Sequence, residues 1–140
     1  MLKKIFDRVV AIIAIVLLGP ILIFFSLLVL AKLGRPIFFN QNRAGLNGSI
    51  FKIYKFRTMT DEVDADGHYK PDSERLTKLG SFMRDFSIDE LPGLFCVLKG
   101  DMSLVGPRPF LVDYLPLYTP TQARRHEVLP GLTGLALIHI

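Results

Sequence analysis

Between Val9 and Leu30 the chain runs for 22 residues without a charge, interrupted in composition only by Gly19-Pro20 and Ser26. A segment of this length and apolarity satisfies a bilayer, and backbone placed in hydrocarbon must pair internally, which makes it helical. A continuous helix would be about 33 Å long, enough to cross. Two features favour another path. Pro20 lies at the centre, where its ring removes a hydrogen bond and kinks a helix, and Gly19 loosens the same turn. Each half, Val9–Leu18 and Ile21–Leu30, is then only about 15 Å long. Lys3, Lys4 and Arg8 flank one end and Lys32 and Arg35 the other, so the positive-inside bias assigns both ends to the cytoplasmic face. The expectation is a re-entrant helix–break–helix with its break at Gly19 and Pro20; a spanning helix is the alternative. A cleaved signal peptide is rejected, because no small-x-small site follows and Ala31–Arg35 forms a basic stop.

The remainder is short. At 140 residues the chain holds one domain at most, read as residues 1–35 forming the membrane hairpin and 36–140 a cytoplasmic interfacial domain. Residues 1–60 carry nine Lys/Arg against the single Asp7, and residues 61–140 carry eight against twelve acids. A basic, apolar front beside an acidic remainder suits an anionic membrane surface rather than nucleic acid. The single Cys96 permits no internal disulfide and, inside an apolar run, reads as core.

Segments Pro36–Gln41 and Ser49–Phe56 read as short strands joined by the turn-rich residues 42–48, a hairpin. Arg43, Lys52, Lys55 and Arg57, in and beside this hairpin, interleave with aromatics, which suits either a headgroup-facing surface or a phosphate cradle. Residues 61–72 are acidic and turn-rich but lack calcium-loop spacing. Ser73–Phe86 has the apolar spacing of an amphipathic helix through Leu76, Leu79, Phe82 and Met83. Leu91–Leu98 reads as a short apolar helix ended by Gly100-Asp101. Phe110–Tyr118 is apolar and aromatic, fit to rest at a membrane interface. His68, His126 and His139 have no second ligand at metal spacing. The fold class expected is α+β, mostly helical, with one small hairpin.

Two stretches carry chemistry. Ser87-Ile-Asp-Glu90 has the form of a capping box, with Ser87 as cap and Glu90 reaching back. The same place, with Arg84 just before it, suits an anion at a helix N-terminus. There one carboxylate of the Asp89-Glu90 pair could attack phosphorus and its neighbour could hold Mg²⁺. Gly106-Pro107-Arg108-Pro109 fixes the backbone around one arginine, so Arg108 loses little entropy on meeting a phosphate. A rigid loop with a solvated arginine is the plain alternative.

Ile53-Tyr-Lys-Phe-Arg-Thr-Met59, Ser87-Ile-Asp-Glu-Leu-Pro92, Leu98-Lys-Gly-Asp-Met-Ser-Leu-Val-Gly-Pro-Arg-Pro109 and Pro130-Gly-Leu-Thr-Gly134 together resemble the bacterial sugar transferases. More narrowly, they resemble the small monotopic phosphoglycosyl transferases of the bacterial inner membrane. The resemblance implies transfer of a sugar 1-phosphate from a UDP-sugar donor to a polyprenyl phosphate acceptor, the initiating step of membrane glycoconjugate assembly. It implies Asp89 as covalent nucleophile, Glu90 as Mg²⁺ ligand, and phosphate contacts from Arg84 and Pro107-Arg108-Pro109. Relatives often carry Ser-Pro where this chain has Gly19-Pro20, and Arg where it has Leu129. They also continue past the Pro130–Gly134 motif, so a truncated form is expected. The competing class is a non-catalytic membrane-anchored interaction module.

Overall fold

The computed structural model describes residues 2–134; the stretch expected to mark a truncation, Leu135–Ile140, lies outside them. The chain begins with α1 (Leu2–Leu33), which is long and apolar enough to cross a membrane. The expected helix–break–helix is one helix: Pro20 lies inside α1 and the helical path continues through Gly19. Proline leaves one carbonyl without its usual N–H partner, a local cost of about 3 kcal/mol. Packing of α1 into a core on either side of Pro20, at Ala11 and at Leu22, Phe25 and Val29, can carry that cost without ending the helix.

A hairpin follows, β1 (Phe38–Ala44) with β2 (Ile50–Phe56). Its turn closes by Gly45 N–H donating to the Ser49 carbonyl at 2.7 Å, around Asn47 and Gly48 at positive φ. The expected Ser73–Phe86 helix divides into α2 (Asp72–Arg75) and α3 (Lys78–Asp85). Leu76 takes extended backbone and bridges to Met59, and Thr77 then caps α3 by accepting from Gly80 N–H. The apolar spacing correctly located Met83 in the core, but a threonine able to cap outcompeted helix continuation. After a 3-10 helix over Ile88–Gly93 come α4 (Leu94–Lys99), ended by left-handed Gly100, and β3 (Ser103–Val105). Next are a 3-10 turn over Val112–Leu117, the short α5 (Pro120–Ala123) with a Thr119–Gln122 capping box, and β4 (Gly131–Thr133). Strands β3 and β4 pair in parallel, Ser103 opposite Gly131 and Val105 opposite Thr133.

Contacts group the chain into two units. The first takes the chain up to Gly19, Asn40–Tyr54 and the chain from Gly93 onward; the second takes Pro20–Phe39 and Lys55–Pro92. The first unit's core joins Ala11 of α1 to Phe51, Ile53, Cys96, Val97 and Met102. Cys96 is fully buried there, and burial pushes its thiol pKa up, so it is an inert core residue. Asp7 is buried in the same unit and accepts from the Ser103 hydroxyl at 2.7 Å. The second unit's core joins Leu22, Phe25 and Val29 of α1 to Phe56 and Met83.

Candidate active site

The acidic pair lies in the second unit, in the first turn of the 3-10 helix. The capping box expected there is not how the turn is closed. Ser87 adopts a left-handed conformation, φ 55°, and its N–H donates to the Arg84 carbonyl at 3.1 Å. The Glu90 amide donates to the Ser87 carbonyl at 3.3 Å. A non-glycine residue in this conformation costs about 1–2 kcal/mol. Such strain at a turn between two functional groups is what a constrained site looks like. The expected anion site at an α-helix N-terminus is therefore replaced by a tight turn that presents two carboxylates.

Their surroundings are cationic. Lys55 Nζ donates to Glu90 Oε1 at 2.6 Å, with both side chains about a quarter exposed. Arg84, in the last turn of α3, directs Nε to the Thr58 hydroxyl at 3.2 Å, and Thr58 is itself buried. Gly80 makes this approach possible, since a Cβ there would lie 2.1 Å from the Thr58 carbonyl oxygen. Asp89 is only 8% exposed. Burial raises its carboxyl pKa; the Lys55 charge opposes that, the Glu90 charge adds to it, and Arg84 opposes it again. A desolvated carboxylate beside two cations is more basic than one in water, yet the cations keep its ionised form within reach.

Thr58 is a residue that sequence reasoning did not place in the site, and Lys55, read there as part of either a headgroup-facing surface or a phosphate cradle, is brought to the acidic pair. Lys55 keeps the parity of buried Phe51 and Ile53 on β2, but Phe56 is buried on the other parity, so alternation along the strand did not single Lys55 out.

Arg108, Pro107 and Pro109 belong to the first unit. There the Pro107 carbonyl accepts from Gly131 N–H at 2.9 Å. Gly106 and Gly131 approach so closely that a Cβ on Gly131 would lie 2.1 Å from the Gly106 nitrogen. The Pro130–Gly134 motif is thus the backbone bed on which the Gly106–Pro109 motif rests. His126 Nδ1 donates to the Gly45 carbonyl at 3.1 Å, a structural use of that side chain.

Comparison with known proteins follows the same motifs. The profile of the bacterial sugar transferase family matches residues 1–140. The chain is 57% identical over 138 residues to an uncharacterised sugar transferase, EpsL, of Bacillus subtilis, covering 99% of this chain and 68% of that protein. It is 45% identical to the galactosyl transferase CpsE of Streptococcus agalactiae, covering 95% of this chain and 32% of that one. It is 40% identical to a UDP-glucose:undecaprenyl-phosphate glucose-1-phosphate transferase of Caulobacter vibrioides, covering 97% of this chain and 53% of that one.

Proposed function

The chain belongs to the bacterial sugar transferase family, and from that premise we propose that it moves a sugar 1-phosphate from a UDP-sugar to a polyprenyl phosphate through a covalent intermediate on Asp89. The observation that carries this reading is the buried Asp89 carboxyl, desolvated beside Glu90 and acted on by the Lys55 and Arg84 charges. In the first step an Asp89 oxygen attacks the phosphorus that bears the sugar. The diphosphate P–O bond breaks, and uridine monophosphate leaves with the bonding electron pair. In the second step an oxygen of the polyprenyl phosphate attacks the same phosphorus. The acyl–phosphate bond breaks, releasing polyprenyl diphosphate sugar and restoring the carboxylate. Lys55 and Arg84 offset the charge that gathers as two anions meet. Arg108 contributes a planar, permanently charged phosphate contact.

Mg²⁺ fits the donor chemistry present. Among the described residues no cluster of three or more His, Cys, Asp and Glu surrounds a point. Mg²⁺ is commonly held by one or two carboxylates together with substrate phosphates, which matches Glu90 beside Asp89. Bound there, it would neutralise diphosphate charge and stabilise the leaving monophosphate.

The anchor is read as re-entrant and monotopic on the cytoplasmic face. The support for this reading is in the sequence of α1: basic residues stand at both of its ends, Lys3, Lys4 and Arg8 at one and Lys32 and Arg35 at the other, and Pro20 lies within it, where a kink can turn the path. A lipid-bound acceptor that cannot leave the membrane suits a site held at its surface.

Incubation with Mg²⁺ and a UDP-sugar, without lipid acceptor, should release uridine monophosphate stoichiometrically with enzyme. Mass spectrometry should find one sugar phosphate on the peptide containing Asp89, and none in Asp89→Asn. Release that strictly requires polyprenyl phosphate, with no adduct, would replace this scheme by direct transfer.

A further inference from the structure

The Pro107-Arg108-Pro109 loop has an accounting problem that its composition creates. Its two prolines lack N–H groups, so the loop cannot join a strand ladder through its own donors, yet each carbonyl still needs a partner. The structure supplies one to each of four successive carbonyls within the first unit. Gly131 N–H takes Pro107 at 2.9 Å, and Ala44 N–H takes Phe110 at 3.1 Å. The two between them are taken by arginine side chains. Arg125 Nη2 donates to the Arg108 carbonyl at 3.1 Å, and Arg43 Nη1 donates to the Pro109 carbonyl at 3.3 Å.

Both arginines are themselves held. Arg125 lies over the Phe110 ring, 4.0 Å from its centroid, with Tyr118 at 5.8 Å. A guanidinium on an aromatic face keeps its charge attracted and its plane oriented. Arg43 sends Nη2 to Gln41 Oε1 at 2.7 Å along β1. The Arg125–Phe110 contact also closes a short circuit, because Phe110 follows directly on the loop that Arg125 grips.

We propose that Arg125 and Arg43 are positioning residues that clamp the Pro107–Pro109 backbone and so fix where the Arg108 guanidinium meets a phosphate. They act through Arg108 and touch no substrate. The assignment rests on the phosphate-binding role given to Arg108 above. Because the two clamps are cationic, a purely structural reading would hold them interchangeable with any donor that fills the same space. The positioning reading makes their effect depend on Arg108 being present.

A double-mutant cycle in the full chain separates the two. Wild type, Arg108→Ala, Arg125→Ala and the double variant are titrated with uridine diphosphate in Mg²⁺ buffer, and thermal unfolding is followed for each. Arg108→Ala and Arg125→Ala should each weaken binding about tenfold, and the double variant should be no weaker than the worse single one. Independent effects would instead multiply to about a hundredfold; that result, with Arg108→Ala damaging alone, overturns the clamp and leaves the phosphate role of Arg108 standing. If Arg108→Ala binds as wild type does, the phosphate role falls, and the clamp with it. Should Arg125→Ala fail to fold, Arg125→Lys goes through the same cycle. It keeps the charge but loses the flat face over Phe110, and the same non-additivity is expected.

Discussion

Asp89 is only 8% exposed and its carboxyl pKa is raised by burial, so the role proposed for it carries a stability cost. A folded-state pKa above the unfolded value means that the native state binds its proton more tightly. The associated stability is present at low pH and is lost as pH rises through the folded pKa. Asn, which cannot ionise, escapes that loss. Asp89→Asn should therefore raise Tm at pH 7, with the gap over wild type closing as pH falls toward the ordinary carboxylate range near about 4. A lower Tm at pH 7 would make Asp89 a stabilising ion-pair member instead of a strained reactive group. Glu90→Gln keeps size but removes the charge that Lys55 pairs with and that a divalent cation would need. Transfer should drop about a hundredfold or more while the far-ultraviolet circular dichroism spectrum persists. Near-normal turnover with unchanged Mg²⁺ dependence would remove Glu90 from the site.

At the scale of elements, α3 matters because it delivers Arg84. Its seat depends on Gly80, where an added Cβ would meet the Thr58 carbonyl carbon at 2.8 Å and its oxygen at 2.1 Å. Helix propensity alone says that Gly80→Ala should stabilise by about 1 kcal/mol. The close approach says the opposite, a loss of about 1–3 kcal/mol, as the helix is pushed from Thr58 and the Arg84–Thr58 bond lengthens. Chemical denaturation decides the sign, with exposed Lys78→Ala in the same helix as a near-neutral control. A stabilised Gly80→Ala would show that α3 can shift from Thr58 at little cost and that helix propensity dominates at this position. The partition of the expected Ser73–Phe86 helix into α2 and α3 has the same origin. Thr77 can cap, Leu76 can bridge to Met59, and those bonds set Gly80 against Thr58.

For the whole molecule the decisive observation is which side of a membrane each end of α1 faces. Basic residues at both ends, Lys3, Lys4 and Arg8 at one and Lys32 and Arg35 at the other, lead the re-entrant reading to expect one side for both. Cysteines placed at exposed Lys4 and at Lys32 should be labelled from the same side in intact cells, the side opposite to a membrane-impermeant reagent added outside. Cys96, fully buried, provides an internal background that should stay silent. Labelling of one position from outside and the other only after lysis would establish a spanning helix.

The sequence by itself determined what depends on neighbours along the chain. These are the apolar length of α1, the β1–β2 hairpin, the burial of Cys96, the glycine that ends α4, and the adjacency of Asp89 to Glu90. Periodicity, turn chemistry and covalent order carry such features, because a few consecutive residues contain all the atoms involved. It favoured a break at Gly19-Pro20 over the continuous α1 it kept as the alternative, because it weighed the missing hydrogen bond above the length of the apolar run. It also placed a turn at Ser87–Glu90 but closed it in the wrong way. Only the tertiary structure decided that Lys55 meets Glu90 across 35 positions, that Thr58 receives Arg84 across 26, and that Arg125 reaches the Arg108 carbonyl across 17. Those pairings depend on where a strand, a helix and a loop come to rest. That is settled by burying the Phe56–Met83 and Phe51–Val97 cores, and no local pattern of charges encodes it.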